Sequence, residues 1–188
     1  MPLFEFPIRR SILEPERIWR LEDDGLSCAS EDGIVQVPYR DIRMIRLQWS
    51  ATRFDDNRHS CEILGPNGVM PVLVSTHYAG PMQFEDRRAG YVPFIRQLLR
   101  RAHAANPQCR FIAGSSGGGY MFNIVALIGA ILLFAFVLLL TGLPLTAIIL
   151  IKLVLIAVLL PKALRWLRVN QPRDFHPDTP PPEVLPAL

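Results

Sequence analysis

From Arg17 to Glu22 polar and apolar residues alternate, with Trp19 and Leu21 on one side and Arg20 and Glu22 on the other. That two-residue period predicts a strand with one buried face. Asp23-Asp24-Gly25 supplies a hairpin turn, Leu26 to Ser30 the return strand, and Glu31-Asp32-Gly33 a second turn into Ile34 to Val37, which Pro38 interrupts. Ile45, Leu47 and Trp49 then alternate with Arg46, Gln48 and Ser50. A further pair, His59 to Leu64 and Val69 to Thr76, flanks the turn Gly65-Pro66-Asn67-Gly68. Short strands with turn chemistry between them predict an antiparallel meander. The period then changes: Tyr91, Ile95, Leu98, Leu99 and Ala102 recur at helical spacing, with Arg96, Gln97, Arg100 and Arg101 on the other side. Pro93 confines the helix start to near Val92, and Asn106-Pro107 ends it. Its apolar stripe is expected to close the sheet. Its basic side reads either as a solvated face or as a dock for anionic lipid.

A different pattern follows. Met121 to Leu160 is an apolar run that carries no charge except Lys152, and Thr141-Gly142-Leu143-Pro144 breaks it once. Met121 to Leu140 would span roughly 30 Å as a helix, a full hydrocarbon thickness, and Leu145 to Leu160 roughly 24 Å. Gly142 can end one helix and Pro144 can start the next, so the run predicts a two-helix transmembrane hairpin. Arg100, Arg101 and Arg110 precede it, and Lys162, Arg165, Arg168 and Arg173 follow. The positive-inside rule therefore places both chain ends in the cytoplasm. Tyr120, Phe122 and Trp166 fit an interfacial position. Ala126, Gly129 and Ala130 form a small-residue patch suited to close helix packing, within the hairpin or between copies. Lys152 lies mid-span with no Asp or Glu in either span. It reads as a snorkelling cation in a tilted helix, or as a partner-facing or transport residue.

Composition sharpens the division. Half the residues are hydrophobic and the net charge is +3. Residues 1–118 nevertheless carry fifteen Arg against fourteen acidic residues, a near-neutral balance that gives no ground for nucleic-acid binding. Cys28, Cys61 and Cys109 are odd in number and widely spaced, which suggests neither a disulfide framework nor zinc. His59-Ser60-Cys61-Glu62 holds a base and a nucleophile in name; on a strand, His59 and Cys61 share one side. A structural Cys and a surface His are the plainer reading. Gly114 to Gly119 lacks the lysine of a phosphate-binding loop and reads as a linker. Six prolines between Asn170 and Leu188 predict a tail without a packed fold.

Two segments carry a resemblance. Leu21-Glu22-Asp23-Asp24-Gly25-Leu26, followed by Val37-Pro38-Tyr39-Arg40-Asp41-Ile42-Arg43, resembles bacterial pleckstrin-homology-like domains over roughly residues 11 to 105. The resemblance implies a bent antiparallel sheet that serves as a binding or oligomerisation platform, with no catalytic residue to carry over. Two features depart from it: a strand at Cys109 to Ala113, and the first ten residues. The expected architecture is α+β: a cytoplasmic pleckstrin-homology-like β domain closed by one C-terminal helix (1–113), a Gly/Ser linker (114–119), a transmembrane helical hairpin (120–164) and a disordered Pro-rich tail (165–188). The expected location is a bacterial inner membrane, multi-pass. The expected role is a non-catalytic interaction or scaffold protein without cofactor or metal, a subunit of a membrane complex. Its partners would be the bilayer through two spans, anionic lipid, and further copies or other chains. Contact residues would be Lys152, Arg96, Arg100, Arg101, Ala126, Gly129 and Ala130. The alternatives are a small transporter or channel component using Lys152 in an oligomerised hairpin, and a tethered enzyme resting on His59 and Cys61.

Overall fold

In the computed structural model, which describes residues 4–31, 33–50, 58–81, 83–140 and 145–186, the alternation around Trp19 becomes a four-stranded antiparallel sheet. Its strands are β1 (Phe4–Ile8), β2 (Arg17–Leu21), β3 (Gly25–Ser30) and β4 (Gly33–Pro38), in that spatial order. Gly25 is required where β3 meets β4, because a Cβ there would lie 2.7 Å from the Val37 carbonyl oxygen. After a 3-10 turn at Tyr39–Asp41 come β5 (Met44–Trp49), β6 (His59–Gly65), β7 (Gly68–Val69) and β8 (Leu73–Val74). Gly68, at φ +109°, takes the turn conformation that side-chain-bearing residues avoid. β9 (Thr76–Gly80) and β10 (Gln83–Asp86) form a separate hairpin that leads into α1 (Arg88–Ala105).

α1 buries Tyr91, Val92, Phe94, Ile95, Leu98, Leu99 and Ala102, the apolar stripe of the sequence with two additions. The chain then does something a pure meander cannot. β11 (Arg110–Ala113) returns parallel to β5, with Phe111 opposite Ile45 and Ala113 opposite Leu47. A parallel pair needs a long crossover, and the connection containing α1 supplies it.

Two helices follow, α2 (Gly117–Leu140) and α3 (Leu145–Asn170), and then the two-residue strand β12 (Arg173–Asp174). β12 pairs antiparallel with β11, Asp174 opposite Ile112 and Arg173 opposite Ala113. The chain therefore divides into a β unit made of residues 1–114 and 173–188, and a helical unit, 115–172, inserted between two paired strands. Among the described residues the core lies in the β unit, from Phe6 and Trp19 through Leu47, Ile63 and Phe94 to Val184 and Leu185.

Several expectations are corrected. The chain does not form a pleckstrin-homology-like domain closed by one C-terminal helix and followed by a two-helix transmembrane hairpin. It has three helices and several sheets among the described residues, and strands follow the closing helix. Among the described residues only one helix, over Gly117–Val137, is long and apolar enough to cross a membrane. The multi-pass inner-membrane location is overturned with it. The helix that follows it, α3, adds no further span among the described residues; Lys152 interrupts its apolar stretch, and it continues past Pro161 into Arg165 and Arg168. The break at Thr141–Pro144 lies outside the described residues. The linker is shorter than expected, because Gly117, Gly118 and Gly119 already belong to α2.

The tail is the largest departure. Beyond Asn170 it is ordered against the β unit: Phe175 N–H donates to the Phe111 carbonyl at 3.0 Å, and the two rings lie 6.1 Å apart. Val184 and Leu185 are fully buried, and Arg173 pairs with Glu183 at 2.9 Å. Residues 165–170 are the last turns of α3.

Candidate functional site

The arginines of α1 part company. Arg96 and Arg100 are exposed and make no ion pair among the described residues. Arg101 faces inward instead. Its guanidinium donates to the carbonyls of Leu21 (3.4 Å) and Glu22 and lies 3.5 Å from the Tyr39 hydroxyl. That hydroxyl donates to the same Glu22 carbonyl at 2.9 Å. Arg101 thus ties α1 to the end of β2 and to the Tyr39 turn. Burial raises the Tyr39 phenol above its ordinary range, so it remains a donor.

β6 settles the thiol question. Cys61 is completely buried, opposite Leu47, and burial raises its pKa well beyond that of a free thiol. Burial likewise pushes Cys28 and Cys109 up to about 11. A nucleophilic cysteine needs a lowered pKa and access; these three have neither. His59 is 6% exposed, and its backbone N–H donates to Ser75 Oγ at 2.9 Å. Next to this strand end, Asp86 accepts from the backbone and side chain of Arg88, and that bonding holds its carboxyl below the usual range. The group anchors the start of α1.

The helical unit has its own geometry. Tyr120 in the first turn of α2 stacks on Trp166 near the end of α3, rings 6.0 Å apart and 11° from parallel. The Tyr120 hydroxyl donates to the Leu167 carbonyl at 3.3 Å, and Ser115 donates to the Asn170 carbonyl through both N–H and Oγ. The start of α2 and the end of α3 are therefore held level, with the exposed Arg165 and Arg168 beside the aromatic stack. Above it, α2 is apolar on all sides and open, with Phe122 72%, Leu132 65% and Leu133 64% exposed. Ala126, Gly129 and Ala130 are exposed too, and a Cβ at Gly129 would meet nothing within 4 Å. Among the described residues, nothing packs onto this patch at Gly129. The side chain of Lys152 lies outside the described residues.

Sequence reasoning missed one feature of the β unit. The loop after β1 and the β9–β10 hairpin enclose an open cleft of about 780 Å³. Arg9 organises it: its guanidinium donates to the carbonyls of Ser11, Ile12 and Glu14, its backbone N–H to His77 Nδ1 at 3.1 Å, and its charge lies 5.9 Å from the centre of the Tyr78 ring. Glu16 and Glu31 line the rim, and Leu13 at the tip is 91% exposed. The cleft joins segments that are far apart in the chain and carry no local motif.

No family model, no curated protein and no solved structure matches the chain, and nothing among these comparisons identifies a pleckstrin-homology-like domain.

Proposed function

We propose that the chain is a membrane-anchored interaction module without catalytic chemistry of its own, held to the bilayer by α2 and presenting the β unit to partners. One observation carries the reading. α2 exposes apolar side chains around its whole circumference over Gly117–Val137, while the β unit has a complete core that needs none of them. Water does not tolerate so large an apolar surface, and a bilayer does. The Tyr120–Trp166 stack and Arg165 and Arg168 suit the headgroup level, where aromatic rings and cations collect. Anionic headgroups are the lipid partner that charge favours there. The absence of a catalytic role is supported by the burial of all three thiols.

The test is extraction of the expressed full chain from membranes. It should stay in the pellet through alkaline carbonate and move only into detergent. Ile128→Arg with Leu132→Arg should release it or leave it aggregated, since each arginine at the centre of a span costs about 2.5–3.5 kcal/mol on insertion scales. Wild-type protein extracted by carbonate alone would overturn the reading.

A further inference from the structure

Edge strands expose unpaired amides, and proteins usually blunt them with charge or brevity. β10 carries Glu85 and Asp86, β12 consists of Arg173 and Asp174, and β7 and β8 are two residues each. β4 has neither protection. Gly33-Ile34-Val35-Gln36-Val37-Pro38 holds no charge and, among the described residues, pairs only with β3. Ile34 and Val35 are 72% and 48% exposed.

The direction of each amide in β4 follows from its pairing. Tyr39 N–H donates to the Asp24 carbonyl, so at that pair the backbone points toward β3. Direction alternates along an antiparallel ladder. Val37, Val35 and Gly33 therefore also point to β3, while Pro38, Gln36 and Ile34 point away. Pro38 has no N–H to offer. The free edge thus presents two donors and three acceptors: the N–H and C=O of Ile34 and of Gln36, and the Pro38 C=O.

We propose that this edge is an interaction surface for a second copy of the chain, β4 against β4, antiparallel about a two-fold axis at Val35. In that register Ile34 of each copy faces Gln36 of the other, and every outward N–H finds an outward C=O. Moving the axis to Gln36 would set the Ile34 carbonyl opposite Pro38, which cannot donate. Around a two-fold axis each residue lies near its own counterpart, so a charged strand would repel itself. The uncharged β4 does not. Val35 then meets Val35 as a non-hydrogen-bonded pair, which covers its exposed side chain. The pairing uses only the β unit and stands apart from the membrane reading.

The register makes the test sharp. Full-length protein in detergent micelles is prepared with Cys28→Ala, because Cys28 lies opposite Val35 on β3, and single cysteines are placed by Ile34→Cys, Val35→Cys or Gln36→Cys. Cα atoms of a non-hydrogen-bonded pair lie about 4.5 Å apart, within disulfide range. Under mild oxidation Val35→Cys should form a covalent dimer about tenfold faster than either neighbour. Equal rates at the three positions, or a Val35→Cys protein that stays monomeric, would overturn the proposal. A second pair of variants does not depend on thiols. Ile34→Lys with Gln36→Lys sets like charges opposite each other and should weaken the dimer about tenfold, whereas Ile34→Glu with Gln36→Lys sets opposite charges and should keep it. Sedimentation that cannot distinguish the two variants refutes the register.

Discussion

The guanidinium of Arg101 reaches the carbonyls at the end of β2 and the Tyr39 hydroxyl, whereas its neighbour Arg100 points into solvent. Charge-assisted hydrogen bonds from a half-buried side chain contribute more than a solvated cation does. Arg101→Gln is therefore expected to lower stability by about 1.5–3 kcal/mol. Arg100→Gln should change it by no more than about 0.5 kcal/mol. Paired thermal melts of the two variants check this, and equal melting temperatures would contradict the assigned role. The buried thiols make a second prediction at this scale. Cys28 and Cys109 ionise at about 11 in the folded chain against an ordinary 9.0. Above pH 9 the unfolded chain loses thiol protons that the folded chain keeps, so stability falls as pH rises. The contribution is full below pH 9 and fades between pH 9 and about 11, on the order of 1–2 kcal/mol per thiol. Melts at pH 7, 9 and 10.5 should show that decline, and Cys28→Ala with Cys109→Ala should make it shallower, with the buried Cys61 thiol accounting for a remaining slope.

Among the elements, the segment after α3 has the most to explain. Its prolines suggested an open chain, yet Phe175, Val184 and Leu185 pack on the β unit, and β12 covers the outer edge of β11. Proline composition is ambiguous in this way. A chain with restricted φ has less freedom to lose on docking, so a few apolar anchors can hold it. Leu185 is 1% exposed, and Leu185→Ala is expected to cost about 2–5 kcal/mol, the range for a buried leucine. Differential scanning calorimetry of the variant checks that figure; a change under 0.5 kcal/mol would show that the tail only rests on the surface. The same contrast explains what could be read in advance. β2, β3, β5, β6 and the buried stripe of α1 were legible because their apolar residues keep one period and sit between turn residues. The parallel pairing of β11 with β5, the tail strap and the Arg9 cleft were not. Each joins residues far apart in the chain, as Arg9 joins His77. The inward turn of Arg101 was equally hidden, since helical phase placed it with Arg96 and Arg100, and only the position of the Glu22 carbonyl decides otherwise.

At the level of the whole molecule, the connectivity is the unusual property. The helical unit 115–172 leaves the β unit after β11 and returns into β12, and those two strands are hydrogen-bonded neighbours with Ala113 opposite Arg173. Its entry and exit points are therefore one strand spacing apart, about 5 Å. A short turn can bridge such a gap, as it does in any antiparallel hairpin. Among the described residues, none of 115–172 belongs to the buried apolar core. Replacing 114–172 by a two-residue Asn-Gly turn should therefore leave a chain that folds cooperatively without detergent and keeps its tail docked. Heteronuclear NMR of that shortened chain should give dispersed amide signals, with slow exchange at Phe111 and Phe175, whose backbones are bonded across β11 and the tail. The membrane reading adds a second expectation for the same protein, that it no longer sediments with membranes. The two results separate the questions. A folded chain that still pelleted would move the anchor out of α2, and a chain that failed to fold would show that the helical unit helps to hold β11 and β12 together.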